Sequence, residues 1–431
     1  MISHAAIGLI TATAVGVPGV YSPPADAPVL MILELVPGAD IDEVAADFGM
    51  TLLDSIVSRD LYLVAVPAAA AQESGGIDTD PRIEEAEIDE DATAPQAAGG
   101  DTQPIFFYVP PIAFEDQVAM SLIGLDGAHA GATGDGVVVA VLDTGADIGH
   151  ELLAGRIAPG GYDFVDDDTD IADEASGLDL DGDGLADELH GHGTFVAGII
   201  ATVAPDASIL PIRVLDSEGY ANIFRVVQGI YYAIDQGVDV INLSLGTRSH
   251  NQILRGAVAD AADAGIIVVA AVGDDDREHP VQVPAGEDTT LAVAATDDDD
   301  VRSDFSNYGN HVSLTAPGRE IVSAMPGGAY AEASGTSIST AFVSATVALL
   351  LSADPTLTQA QVEAILYLTA HDIDSMNPGF DGLLGAGRID VAAAVAEALP
   401  AGPGPSLIGM LGPGLPLIAV EPDLLIFLGL E

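Results

Sequence analysis

From Ser337 to Leu351 the chain reads Ser-Ile-Ser-Thr-Ala-Phe-Val-Ser-Ala-Thr-Val-Ala-Leu-Leu-Leu, small or apolar on every side. A helix with no polar face is buried all round, so the rest of the protein must be large enough to enclose it. The 431 residues leave room for one large α/β domain with a substantial core, plus smaller parts. Ser337 falls at the N-terminus of this helix. Free backbone N–H groups and the positive end of the helix dipole favour an oxygen there that turns negative during a reaction. Serine is also a preferred N-cap, and the seven residues Gly335 to Ala341 alone do not separate a capping serine from a reactive one.

A serine hydroxyl is a poor nucleophile until a base takes its proton, so a histidine and a carboxylate are needed in comparable settings. Val137-Val138-Val139-Ala140-Val141-Leu142 is an apolar, β-branched run of the kind found in buried parallel strands, and it ends in Asp143-Thr144-Gly145. Residues at the carboxyl ends of such strands face the functional crevice of an open α/β sheet. Farther on, His190-Gly191-His192-Gly193-Thr194-Phe195-Val196-Ala197-Gly198 leads into a second glycine-punctuated apolar helix. The order along the chain is acid, histidine, serine.

That order, with these flanks, resembles the subtilisin-like serine peptidases, or subtilases. Their acid signature, an apolar strand followed by Asp-Thr-Gly, is similar to Val141 to Gly145, with His150 and Leu152 where the family often has His-Pro-Asp-Leu. Their histidine signature, His-Gly-Thr-His-Val-Ala-Gly, resembles His192 to Gly198, which selects His192 and leaves His190 as a loop or ligand residue. Their serine signature, Gly-Thr-Ser-Met-Ala-x-Pro, resembles Gly335 to Ala341, with Ile338 in place of Met and Ala341 in place of Pro. Asp239 to Gly246 resembles the family's substrate-binding strand. Three ordered motifs in one chain are specific where each alone is not.

The resemblance spans residues 116–398 and implies a doubly wound, mostly parallel α/β sheet flanked by helices. It also implies roles. Ser337 attacks a peptide carbonyl, His192 relays the proton, and Asp143 holds and stabilises the imidazolium. Polypeptide substrates would lie as an added strand on Ser244, Leu245 and Gly246, with Ala271 and Gly273 also at the substrate; ordinary strand and turn structure is the other reading of Ser244 to Gly246. One departure bears on rate. Subtilases carry Gly-Asn after the strand that corresponds to Ile266 to Val272, and the Asn donates to the developing oxyanion; here the pair is Gly273-Asp274. An ionised carboxylate donates nothing and repels an oxyanion, and loss of this donor costs about 10²- to 10³-fold in a subtilisin. A protonated Asp274, a shifted loop whose backbone N–H groups take over, or a slow enzyme would each reconcile the substitution with catalysis. The alternative is a catalytically impaired subtilase fold used for binding. Asp275 lies either at the rim of a pocket that tolerates basic residues or in a solvated acidic turn.

The formal charge of −56 comes from 67 acidic residues against 11 arginines, with no lysine. Such a surface repels phosphate backbones and anionic lipid, which argues against nucleic acid as a partner, and it stays hydrated in salt, which suits an extracellular setting. The absence of cysteine excludes disulfides and thiol catalysis. Residues 1–22 contain the apolar stretch Ala5 to Val17, too short to span a membrane and similar to a signal-peptide core, although its only candidate cation is His4. No stretch has the pattern of a transmembrane helix, and a monomer is expected.

Residues 27–91 form a small α+β unit, with strands at Val29 to Leu35 and Leu61 to Val66, a helix at Asp40 to Phe48 and a closing strand within Asp80 to Asp89. This resembles the ferredoxin-like subtilase propeptide, an intramolecular inhibitor whose end lies in the active site before cleavage; an unrelated accessory domain is the other reading. Residues 92–115, rich in Ala, Gly and Pro, read as an exposed linker with a processing site. In the acidic insertion, Asp179, Asp181 and Asp183 alternate, Gly184 holds the sixth position and Asp187 the ninth, a spacing suited to calcium. His190 stands at the twelfth, where a bidentate Glu is usual, and a solvated Asp-rich loop is the alternative. Beyond Leu399 a Pro/Gly-rich apolar tail fills 399–431, docked on the enzyme or on a partner.

Overall fold

The computed structural model describes residues 27–72, 76–97, 106–111, 117–179, 184–278 and 283–399. The leader at 1–22, the tail beyond Leu399, and Asp181 and Asp183 of the acidic loop lie outside these residues.

Seven parallel strands build the central sheet, in the order Leu314–Pro317, Thr290–Thr296, Ile267–Ala271, Val240–Leu243, Val138–Asp143, Ser208–Arg213, Tyr162–Asp163. Each inner strand is a Val/Ile/Ala-rich run with no polar face, because helices cover both sides of the sheet. The side chains divide by parity, as the pleat requires. Val139, Val141, Val240, Val269 and Val293 join the core beneath the helices His192–Val203 and Thr336–Ala353. Ala140, Leu142, Ile241, Val268 and Ala270 join the opposite core, beneath Ile223–Gln236 and Gln252–Asp263. The doubly wound α/β sheet expected from the sequence is the one observed. From Val138–Asp143 the chain first builds Tyr162–Asp163 and Ser208–Arg213 on one side and then crosses to Val240–Leu243 on the other. Asp143 therefore ends a strand at the switch point, where crevices open in such sheets.

The helix expected to be enclosed runs Thr336–Ala353, and every residue from Thr336 to Leu350 is buried. Asn222 caps the helix Ile223–Gln236, its side chain accepting from Arg225 N. A second, antiparallel sheet of Ile321–Met325, Ala329–Ala333 and Phe107–Val109 lies beside the main one. Its first strand packs on the His192 helix, where Ser323 Oγ donates to Phe195 O at 2.8 Å.

The N-terminal unit is a four-stranded antiparallel sheet in the order Thr51–Ile56, Leu61–Val66, Val29–Leu35, Ile83–Ile88. One face buries the helix Ile41–Phe48 through Leu33, Val44 and Val64. The other lays Leu30, Ile32, Leu61 and Leu63 on the core shared with Ile223–Gln236 and Gln252–Asp263. The Thr51–Ile56 strand escapes sequence reading because Leu52 and Leu53 adjoin and an irregularity between Leu52 and Asp54 breaks the alternation.

Two carboxylates fasten this unit to the larger body at helix N-termini. Glu87 accepts from Gln252 N at 2.8 Å and Ile253 N at 3.2 Å, and Asp89 accepts from Phe224 N at 3.0 Å. Both meet otherwise unpaired N–H groups at the positive ends of helix dipoles. Burial pushes the Asp89 carboxyl up to about 7. Glu87→Ala is expected to weaken docking by about 0.5–2 kcal/mol, the usual range for a lost cap. Hydrogen exchange checks it: the amides of Gln252 and Ile253 gain rate while those of the seven-stranded core do not.

Candidate active site

Asp143 is fully buried, and its Oδ1 accepts from Thr144 N at 2.8 Å and from His192 Nδ1 at 2.7 Å. His192 opens the helix His192–Val203. A Cβ on Gly193 would overlap Gly145 O and lie 3.1 Å from Asp143 Cβ. Only glycine lets the helix start close enough to the strand end for a short Asp–His bond. Thr144 Oγ1 accepts from Gly193 N at 2.9 Å and fixes the same junction. With Nδ1 donating to the carboxylate, Nε2 is the acceptor nitrogen; it is buried and has no hydrogen-bond partner among the described residues. Burial, the largest single influence, favours the neutral ring, but the carboxyls of Asp143, Asp173 and Asp274 together outweigh it, so the His192 pKa is raised.

Asp173, which sequence reasoning did not single out, organises this helix start. Its carboxylate accepts from Gly191 N, Thr194 N and Thr194 Oγ1. His190 places Nε2 on the Asp173 carbonyl at 3.1 Å, a loop-bracing contact.

Ser337 is the second residue of its helix and is fully buried. Its Oγ lies 3.0 Å from Gln96 Oε1 and 3.3 Å from Ser244 O, and no hydrogen bond joins it to His192. The expected continuous line of three side chains is thus present at its Asp–His end and diverted at its serine end. A Cβ on Gly335 would overlap the Gln96 amide nitrogen and lie 3.0 Å from Asp274 Oδ2, so the Gln96 carboxamide is pressed against the turn that leads into Ser337.

Gln96 arrives there on a segment that follows the groove. Asp91–Thr93 pairs antiparallel with Tyr220–Asn222. Thr93 and Gly246 exchange two N–H···O bonds of 2.9 Å, and Ala94 N donates to Gly219 O at 3.0 Å. Ala92 and Ala94 are fully buried. The chain then turns out, with Ala97 N on Ala94 O at 3.0 Å. The sequence suggests an exposed linker from residue 92; the structure corrects this through residue 97. Small residues give a linker's composition, but they are also what fits between two close strands, and three residues are too few for a periodic signal. Of the other proposed groove residues, Ser244 and Leu245 are buried, Ser244 Oγ reaches Ser337 O at 3.1 Å, Ala271 ends its strand, and Gly273 takes a φ of 99°.

Asp274 Oδ1 accepts from Thr336 N at 2.9 Å, capping the first turn of the Ser337 helix. Burial pushes its carboxyl up to about 7. Asn307, also missed in the sequence, shapes this loop: Nδ2 donates to Val272 O, while Oδ1 accepts from Asp275 N and Arg277 N. The Arg248 guanidinium pairs with Asp275, so that charge is already countered. In the acidic loop, Asp179 accepts from Gly184 N at 3.1 Å. Asp187 accepts from Ser176 N, Ser176 Oγ and Gly177 N. Against the upward push of burial, bonds from Ser217, Ser176 and Gly177 hold its carboxyl low. Asp187 thus serves as an acceptor for the turn at Ser176 and Gly177. Among the described residues no three acidic or histidine side chains cluster as a metal group.

A profile of the Subtilase family (peptidase S8) matches residues 134–387. The chain is 41% identical over 231 residues to thermitase of Thermoactinomyces vulgaris, covering 51% of this chain and 77% of that one. It is 40% identical over 230 residues to an intracellular serine protease of Paenibacillus polymyxa, covering 50% and 67%. The crystal structure of fervidolysin from Fervidobacterium pennivorans, a keratinolytic enzyme related to subtilisin, aligns with a TM-score of 0.69 at 22% identity, covering 88% of this chain and 62% of its own. At that identity the likeness is one of fold.

The Gly193 contact gives the site a sharp test. Gly193→Ala is expected to force the helix off the strand end, at a cost of about 1–3 kcal/mol. A lower denaturation midpoint, with loss of the downfield Nδ1 proton of His192 in the NMR spectrum, is the expected readout.

Proposed function

The chain belongs to the subtilase family of serine endopeptidases, and on that premise we propose that Asp143, His192 and Ser337 hydrolyse peptide bonds while residues 27–97 hold the enzyme latent. The observation that carries this reading is the buried 2.7 Å Asp143–His192 bond, with Nε2 left without a partner. A substrate strand takes the place of Thr93 on Gly246, and its carbonyl is brought to Ser337. His192 Nε2 takes the hydroxyl proton as Oγ attacks, and the Asp143 carboxylate stabilises the imidazolium. The proton then passes to the leaving amine, and a water repeats the sequence to free the acyl group. Backbone N–H at the start of the Ser337 helix faces the oxyanion.

Latency rests on Gln96. Its carboxamide engages Ser337 Oγ, and a turn closed by Ala97 N on Ala94 O follows the paired stretch directly. The binding-protein alternative rests on Asp274 alone. Calcium would be held by Asp179, Asp181, Asp183 and Asp187, whose spacing along the acidic loop supports that reading. Export is part of the reading and rests on the leader-like Ala5 to Val17 and the acidic surface. Among the described residues the one helix long and apolar enough to cross a membrane is Thr336–Ala353, which is 83% buried inside the protein.

The full chain, incubated with unfolded protein and a serine-directed phosphonate, is expected to cleave and become labelled after a lag, with Gln96→Ala shortening the lag. Ser337→Ala should lose both, with kcat down by about 10⁶-fold. A processed wild type that neither cleaves nor labels would favour the binding protein.

Asp274 sets the pH dependence. A carboxyl that titrates near 7 can donate to the oxyanion only below that pH, whereas His192 must be neutral and its raised pKa pushes that requirement upward. Activity should therefore peak in a narrow window near neutrality. Asp274→Asn donates at every pH, and kcat/KM at alkaline pH is expected to rise, by at most about 10²–10³-fold, with the alkaline limb removed.

A further inference from the structure

Phe106 lies outside all three sequence motifs, yet its ring lies beside the proposed general base. Its centroid is 6.4 Å from that of His192 and 5.7 Å from that of Phe195, with interplanar angles of 57° and 42°. His192 and Phe195 are i and i+3 on one helix and share a face, so a single aromatic ring spans both. The residues that follow, Phe107–Val109, pair with Ala329–Ala333 in the register Phe107 to Glu332, Tyr108 to Ala331 and Val109 to Tyr330. The next strand of that sheet, Ile321–Met325, is locked onto the same helix. Ser323 Oγ donates to Phe195 O, and a Cβ on Gly198 would come within 2.5 Å of Ser323 Oγ. Phe106 itself packs against the core that contains Phe195 and the Ser337 helix. This segment precedes residue 116, where the resemblance begins, but by its contacts it is part of the larger body.

We propose that Phe106 is a positioning residue for His192 and that it remains with the body after residues 27–97 are released. The inference rests on the peptidase reading above. One hydrogen bond to Asp143 fixes Nδ1 but leaves the ring able to swing about it. A general base must keep Nε2 aimed through two proton transfers. A ring on its flank, itself held by Phe195 and a paired strand, limits the swing and excludes water. The charges facing His192 are Asp143, Asp173 and Asp274, and Phe106 adds none, so its effect on titration comes from exclusion of water.

The deciding measurement uses the full chain carrying Ser337→Ala, in which no self-cleavage occurs, with His192 titrated by carbon NMR of labelled histidine. Phe106→Ala should admit water, stabilise the charged ring and move the titration to higher pH. Phe106→Leu should move it less, and Phe107→Ala, whose side chain is exposed, should not move it. A folded Phe106→Ala that titrates as the parent overturns the proposal; if that variant does not fold, Phe106→Leu decides in the same way. In the processed enzyme Phe106→Ala should lower kcat/KM by roughly 10-fold with KM within about two-fold, and move the acid limb upward. Intact mass should place the mature N-terminus ahead of Phe106, and an N-terminus beyond it overturns retention. If the wild type proves inactive, the peptidase reading falls, while the titration still decides whether Phe106 governs His192.

Discussion

The hydrogen bond between Asp143 and His192 is the constraint around which the larger body is arranged. It joins the end of a strand to the start of a helix, and both side chains are out of contact with water. A buried carboxylate is costly unless its partner is held in place, and here the partner is held by backbone. Gly193 lies against Gly145, Thr144 ties the two loops, and Asp173 caps the turn that delivers the imidazole. The parallel sheet supplies the strand end, and the enclosed Ser337 helix supplies the opposite wall of the crevice. Asp274 connects the walls, since it bonds the backbone beside Ser337 and acts electrostatically on His192.

What the sequence made legible follows from the kind of signal each feature carries. The Asp143 strand and the Ser337 helix are long apolar runs whose burial is written in composition, so the sheet and its flanking helices could be read directly. The choice of His192 over His190 came from the surrounding motif, and the structure gives the two rings different partners, a carboxylate for one and a backbone carbonyl for the other. Residues 91–97 carried no such signal. Their docking is made of main-chain bonds to Gly219 and Gly246, and a main-chain bond leaves no mark on residue type. Asp173 and Asn307 were missed for a related reason: each serves nearby backbone amides, and an isolated Asp or Asn looks the same in a solvated loop. Asp187 was read for calcium from spacing alone, which records where carboxylates occur and is silent on the Ser176 and Gly177 donors that also reach it.

Asp274 and Gln96 both bear on Ser337 without altering the three residues proposed as a triad. One is an acid held near neutrality by burial, the other a carboxamide at the serine hydroxyl. Together they describe a site whose parts are present while its working geometry is withheld. In the reading advanced here, displacement of one segment frees Ser337, and the protonation of one carboxyl sets how well a negative oxygen is received.

Glu87 and Asp89 lie at the first turns of two helices that belong to a different part of the molecule. If residues 27–97 depart, those turns exchange fixed carboxylates for water, and the body also loses the surface on which the two helices were aligned. If that surface also guides their packing during folding, the body left behind would keep its shape through the height of the barrier to unfolding rather than through the depth of its energy well. Its lifetime would then be a matter of rates, and an unfolding event once completed would not be readily reversed.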